Sequence, residues 1–261
     1  MSRWRAYRVA LSTEGGKLRS SRVVQTTALM LTAGVALLCA AMTHAIASGD
    51  PVVVAKFGPV VAAGGWHGYL SGAAQVTAVA SMLGFGVALA WTFGREFADG
   101  TVTGLFALPI GRRTLASAKL SAYAAWAAMV SVALMVVLVI VGFALGLGLP
   151  GADVGVQVVR QVGLALLTAA LAVPAGWAAT VGRGVLAGIG ATVALVVAAA
   201  VAELGGVGAW FPFAAPGIWA TSASTELFQP VSPVQLALVL PVAAAFGLLT
   251  VRSWDRLQLD R

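Results

Sequence analysis

The chain has 261 residues, of which 60% are hydrophobic and only 10% charged, with a mean hydropathy of +0.94. A soluble domain carries about 25% charged residues, so this composition excludes an ordinary soluble fold and predicts an all-α integral membrane protein. The single cysteine, Cys39, excludes an intrachain disulfide and a thiolate metal site, and the formal charge of +7 needs an explanation from its distribution.

Residues 1–22 carry Arg3, Arg5, Arg8, Lys17, Arg19 and Arg22 against one acid, Glu14. Trp4, Tyr7 and Leu11 recur at helical spacing between the arginines. This pattern predicts an interfacial helix, its apolar side in the headgroups and its basic side toward anionic lipid; the plainer reading is a disordered basic tail. The first apolar run, about 23–47, is too long for the h-region of a signal peptide, so a membrane span is expected there and no cleavable signal. His44 lies near its outer end.

An outer loop, 48–69, holds Asp50, Lys56, Trp66 and His67. A second span is expected at about 70–93, with Gln75, Thr77 and Ser81 on one flank turned toward other helices.

Residues 94–119 break the apolar pattern with charge, glycine and proline. Arg95, Glu96 and Asp99 cluster, and Phe97, Thr101, Leu105 and Leu108 share a face at spacings of four, four and three. An amphipathic helix over 95–108 is predicted, outside the membrane, with its charges on the polar face. Pro109 ends it, because proline lacks the N–H and clashes with the preceding turn. Thr114 is expected to cap the next helix. Arg112 and Arg113, just before that helix, oppose its dipole, so they serve topology or a partner.

A third span at about 115–149 exceeds the ~30 Å hydrocarbon core and is expected to tilt or protrude. Gly142 and Gly146 form a close-packing pair. The fourth span, about 158–181, carries Pro174 as a kink. The Gly182-Arg183-Gly184 turn leads to a fifth span at about 185–204, with Gly184 and Gly188 as a second close-packing pair. Glu203 near its outer end either snorkels at the interface or serves a cationic substrate or a proton. Residues 205–232 are dense in aromatics and prolines and are predicted to dip into the membrane without crossing. The last span is expected at about 233–251.

With the N-terminus inside, 14 of the 16 lysines and arginines fall on the cytosolic side and only Lys56 and Arg160 outside. The basic charge is topological, both termini are expected in the cytoplasm, and nucleic-acid binding is not expected.

The run from Arg95-Glu96-Phe97 through Gly100-Thr101, Leu105 to Leu108, Pro109, Arg112 or Arg113, and Lys119 resembles the segment between the second and third spans of ABC-2 type transporter permeases. The family's serine before the arginine is Gly111 here. The resemblance implies a single membrane domain over 1–261 with six spans, the interfacial helix, a coupling helix and a re-entrant segment between spans five and six. It implies that Arg95, Glu96, Phe97, Asp99, Gly100 and Thr101 dock on a separate ABC ATPase subunit, flanked by Arg112 and Arg113. It further implies a second permease copy or a related permease, surrounding membrane lipid, a cell-membrane location and an export function. A loop with no partner is the plainer reading of the same residues.

The chain has no Gly-x-x-x-x-Gly-Lys-[Ser/Thr], so ATP hydrolysis is expected on a partner and no cofactor is expected. His-Glu-x-x-His, Cys-x-x-Cys and Gly-x-Ser-x-Gly are absent too. His44 and His67 lack an acidic cluster and make a weak metal pair. An ATP-independent transporter or sensor is the alternative function. A secondary transporter, however, needs ionisable groups in mid-span, which are nearly absent here. An intramembrane enzyme lacks its catalytic constellation.

Overall fold

The computed structural model describes residues 3–49, 51–52, 54–55, 64–107, 109–151, 154–221 and 231–258. Helix α1 spans Arg3–Ser20. Among the described residues, six further helices are long and apolar enough to cross a membrane: α2 (Arg22–Ala47), α3 (Gly65–Ala98), α5 (Arg112–Ala144), α6 (Val154–Val181), α7 (Val185–Leu204) and α9 (Pro233–Asp255). Short helices α4 (Val102–Phe106) and α8 (Ala215–Thr221) lie in the connections. No strand occurs among the described residues. The all-α, six-span architecture agrees with the composition, and α7 coincides with its predicted bounds.

A serine at each of two helix starts explains where the chain turns. Ser21 separates α1 from α2 and accepts from the Val24 N–H at 3.4 Å. Ser232 and Gln235 form a reciprocal capping box at the start of α9. Within α2, residues Met30–Gly34 adopt a π turn. In α6 the helix is interrupted at Ala172, just before Pro174, which has no N–H to continue the ladder.

Helix α3 is the central element. It buries Phe85, Ala88, Leu89, Ala90 and Phe93 in a core shared with α5, α6 and α9. Thr77 and Ser81 are buried among neighbouring helices, and the Gln161 amide of α6 donates to Thr77 Oγ1 at 2.7 Å. Small residues allow α7 to lie directly on α3. A Cβ at Gly94 would stand 2.6 Å from the Val185 nitrogen, and one at Gly188 would stand 2.5 Å from the Ala90 Cβ. At the far end of α5, Gly142 receives the Trp66 ring, which a Cβ would meet at 2.4 Å.

Several boundaries differ from expectation. Helix α3 is longer than 70–93 at both ends, so Trp66 and His67 belong to its first turn, and Arg95, Glu96 and Phe97 to its last. The predicted helix over 95–108 is therefore two elements. Gly100, with φ +67, turns the chain after Asp99, and only Val102–Phe106 forms a separate short helix. Two glycines in that stretch, Gly100 and Gly104, weaken a continuous helix, and Gly100 takes up the left-handed turn that other residues resist. Helix α5 begins at Arg112 with Gly111 as its cap residue, so Thr114 does not cap it. Helix α9 extends beyond 251 to Asp255. In the 205–232 segment, Gly208–Trp210 forms a 3-10 turn and α8 packs on α3 and α6. Residues 222–230 of that segment and Asp50 and Lys56 of the outer loop lie outside the described residues.

Candidate functional site

The turn after α3 rests on two buried constructions at one end of the bundle. The first is a closed ring of four charges. Lys119 Nζ of α5 donates to Glu14 Oε2 of α1 at 2.8 Å and to Glu96 Oε1 of α3 at 2.8 Å. Lys17 Nζ of α1 donates to Glu14 Oε1 at 2.7 Å and to the same Glu96 Oε1 at 3.0 Å. Two lysines and two glutamates thus alternate around the ring and sum to zero charge. The third Lys119 proton goes to the Thr92 carbonyl oxygen at 3.2 Å, so this ammonium uses all three donors. Glu14, Glu96 and Lys119 are only 3%, 2% and 1% exposed.

Burial at this depth is tolerable only because each charge is paired and hydrogen-bonded. Helix α1 achieves it through its periodicity: Ala10, Glu14 and Leu18 recur every fourth residue on its buried face. Tyr7 adds a fixed point on the same helix, its hydroxyl donating to Ser121 Oγ of α5 at 2.8 Å. Burial alone would raise the Glu14 carboxyl. The charge and hydrogen bond of Lys119, then those of Lys17, outweigh it and hold the group below its ordinary range. Lys17 is displaced in the opposite sense. Burial opposes its charge, but the Glu14 hydrogen bond and the Glu96 charge raise it above its ordinary value.

The second construction is an aromatic clamp around Trp254 of α9, which is fully buried. Phe93 and Phe97 of α3 meet it edge-on at 5.8 and 6.3 Å, and Phe106 of α4 meets it at 6.0 Å. Its indole N–H donates to Thr180 Oγ1 of α6 at 3.1 Å, and Lys119 Nζ stands 5.6 Å from its ring. One side chain therefore joins α3, α4, α6 and α9 to the ion ring.

The sequence-predicted residues divide between these constructions and the surface. Glu96 is corrected from the polar face to the interior, because Lys119 and Lys17 draw it inward. Phe97 is half-buried against Trp254. Arg95 lies half-buried over the Trp91 ring at 5.6 Å, with its Nε 3.9 Å from Asp99 Oδ2. Asp99, Gly100 and Thr101 are exposed and lead into α4. Arg112 and Arg113 sit in the first turn of α5. Arg112 covers the Phe106 ring at 4.1 Å and donates to the Leu257 carbonyl, while Arg113 pairs with Asp255 at 2.7 Å. Both arginines thus hold the end of α9, which accounts for basic residues at a helix start.

Sequence reasoning missed Glu14, Lys17 and Trp254. A signal for Glu14 existed: the one acid of a basic segment falls between Ala10 and Leu18 on an apolar stripe. Trp254 gave none, since a tryptophan near the last span's end also reads as an interfacial anchor. Glu203 is exposed in the last turn of α7, beside a cavity of about 120 Å³ lined also by Thr168 and Phe213. Among the described residues, no group of three His, Cys, Asp or Glu side chains is arranged to hold a metal.

A family model described as ABC-2 family transporter protein matches residues 10–199, well over half of the chain. The chain belongs to this family. No curated protein matches it. All four ring residues of this ABC-2 protein lie within the matched range, and Trp254 lies beyond it. Membership, together with six apolar helices, makes the chain a multi-pass membrane component of a transporter.

Proposed function

We propose that the chain is the permease subunit of an ABC-2 exporter in the cell membrane, with both termini cytoplasmic. A separate ABC ATPase docks on the connection between α3 and α5. Two copies, or one copy with a related permease, enclose the translocation pathway. Asp99, Gly100, Thr101 and Arg113 present the docking face, with Arg95 and Arg112 at its edge. Glu96 and Phe97 act from behind it. Closure of the ATPase on ATP pushes the connection, and the permease converts that movement into opening on the far side.

The observation that carries this reading is mechanical. The exposed turn at 99–101 follows directly on Glu96 and Phe97, which are held by the ion ring and by Trp254. A load on the turn therefore reaches α1, α5 and α9 through short, buried contacts rather than through a slack loop.

The test is purification of the tagged chain from its native membrane, identification of a P-loop ATPase that accompanies it, and comparison of Asp99→Lys and Thr101→Trp with the parent. Both positions are exposed, so membrane expression should be unchanged. ATPase association and transport should fall roughly tenfold or more, as for loss of one or two interface anchors. Absence of any such ATPase, with transport retained in both variants, would overturn the reading in favour of an ATP-independent transporter or sensor.

A further inference from the structure

The face of α1 next to the ion ring is not filled by protein. A groove of about 580 Å³ runs between α1, α2 and α5. Leu11 and Leu18 of α1, Val24 and Ala28 of α2, and Trp126 and Met129 of α5 line it. That size lies within the ~300–1,000 Å³ range of small-molecule sites. Arg19 and Gln25 stand on its rim, where the Gln25 amide donates to the Arg19 carbonyl at 2.8 Å and fixes the corner between the two helices.

The charges around this corner are unequal. Among the described residues, the acids at this end of the bundle are Glu14, Glu96, Asp99 and Asp255. Each is already committed to a cation: Glu14 and Glu96 to Lys17 and Lys119, Asp99 to Arg95, and Asp255 to Arg113. Arg19, at the end of α1, and Arg22, at the start of α2, are exposed and have no ion pair among the described residues. An apolar groove with the Arg19 guanidinium on its rim, and Arg22 three residues on at the start of α2, matches an amphiphile with an anionic head and an aliphatic tail. Basic pockets between helices at a membrane surface bind acidic headgroups by this combination.

We infer that this groove binds an anionic phospholipid, with an acyl chain along the Leu18 and Trp126 walls and its phosphate at Arg19 and Arg22. Such a lipid would fill the space beside the ring and tie α1 to α2 and α5. The inference stands apart from the ATPase reading, since it needs only the groove and its charges.

Trp126 makes the site observable. The full-length protein is reconstituted in phosphatidylcholine vesicles doped with phosphatidylglycerol or phosphatidylcholine brominated on one acyl chain. Quenching of tryptophan emission is then compared with that of Trp126→Phe, so that the difference isolates this indole. The anionic probe should quench the Trp126 component with about tenfold higher apparent affinity than the neutral probe. Arg19→Ala with Arg22→Ala should erase the preference, Arg19→Lys with Arg22→Lys should keep most of it, and Arg113→Ala should leave it unchanged. Equal quenching by both probes would mean that any bilayer lipid fills the groove and would overturn the inference. So would a preference that survives loss of both arginines. Trp126 inaccessible to either probe, together with disulfide cross-linking between two copies carrying Met129→Cys, would assign the groove to a second copy and would also overturn it.

Discussion

Lys119 and Glu14, 105 residues apart in sequence, meet at 2.8 Å inside the protein. Neither side chain has access to solvent as an alternative partner. Their pairing joins the first helix to the third span, and Glu96 brings in the second. The local consequence is that single and paired changes behave differently. Lys119→Met leaves two buried carboxylates to share the single Lys17 ammonium and should destabilise the protein by about 3–5 kcal/mol, as breaking a buried pair does. Removing both charges together, Glu14→Gln with Lys119→Met, leaves Lys17 and Glu96 as a neutral pair and should recover a substantial part of that loss. Thermal unfolding of the detergent-solubilised variants measures both. A double variant no more stable than the worse single change would mean that the two residues do not act as a pair.

Arg95 and Glu96 are neighbours in sequence but should fail in different ways. Arg95→Ala removes a half-buried side chain at the edge of the exposed turn and should leave unfolding unchanged within about 0.5 kcal/mol. Its effect should appear in ATPase association. Glu96→Ala removes one corner of the ring, leaves Lys119 and Lys17 short of an acceptor, and should lower stability before any effect on a partner is read. Melting curves and partner pull-down on the same preparations separate the two. Equal stability of both variants would return Glu96 to the surface role expected from sequence.

The ring also sets a pH window. The Glu14 carboxyl is held below its ordinary 4.5 by burial overcome by Lys119 and Lys17, so its contribution is present above that pH and is lost as the pH falls through the lowered value. Lys17 is held above its ordinary 10.5, so its contribution is present below that pH and is lost as the pH rises through the raised value. The melting temperature should be level between these limits and decline outside them. Glu14→Gln should flatten the acid decline specifically. An acid limb of unchanged steepness in that variant would assign it to other carboxylates.

Close packing of α3 on α7 predicts a position-specific response to a single methyl group. A Cβ at Gly94 would lie 2.6 Å from one backbone atom of the facing chain and 2.8 Å from two others, none of which can swing aside. Gly94→Ala should therefore cost about 1–3 kcal/mol through overpacking. Gly190→Ala, on the same helix pair but facing open space, should be neutral or mildly stabilising, since alanine loses less conformational freedom. Equal stability of the two variants would contradict the helix separation.

Topology can be read with single cysteines, because the native Cys39 is fully buried and reacts little. Arg3→Cys and Gln258→Cys should resist a membrane-impermeant maleimide in intact cells and react once the cells are opened. Labelling of either from outside would reverse the orientation derived from 14 inward and two outward basic residues.

How far the sequence could be read depended on the distance over which each feature is determined. Hydropathy alone located the spans, and the Val185–Leu204 helix was bounded by Arg183-Gly184 and Gly205-Gly206, which interrupt it sharply. Helix α3 was underestimated because Trp66, His67, Arg95 and Glu96 are polar or amphipathic and look like loop residues, yet each continues the backbone ladder. The 95–108 stretch showed its importance through its residues but not its shape, since the left-handed turn at Gly100 competes locally with helix. Glu96 was misplaced for a non-local reason. Its partners come from α1 and α5, and no spacing within 94–119 reveals that a lysine 79 residues earlier lies beside it. Lys119 was legible as part of the motif, but its burial was not.

The ion ring also has an order in time. Glu14 and Lys17 leave the ribosome about a hundred residues before Lys119, and Glu96 comes between them. A chain made from its N-terminus forward thus exposes half of the ring long before the other half exists, and α2 and α3 enter the bilayer without it. The first helix to be synthesised waits for the third span, because its place is created only when α5 arrives. Until then Glu14 and Lys17 lack their partners from the second and third spans, and closure of the ring marks the point at which the first helix becomes part of the bundle.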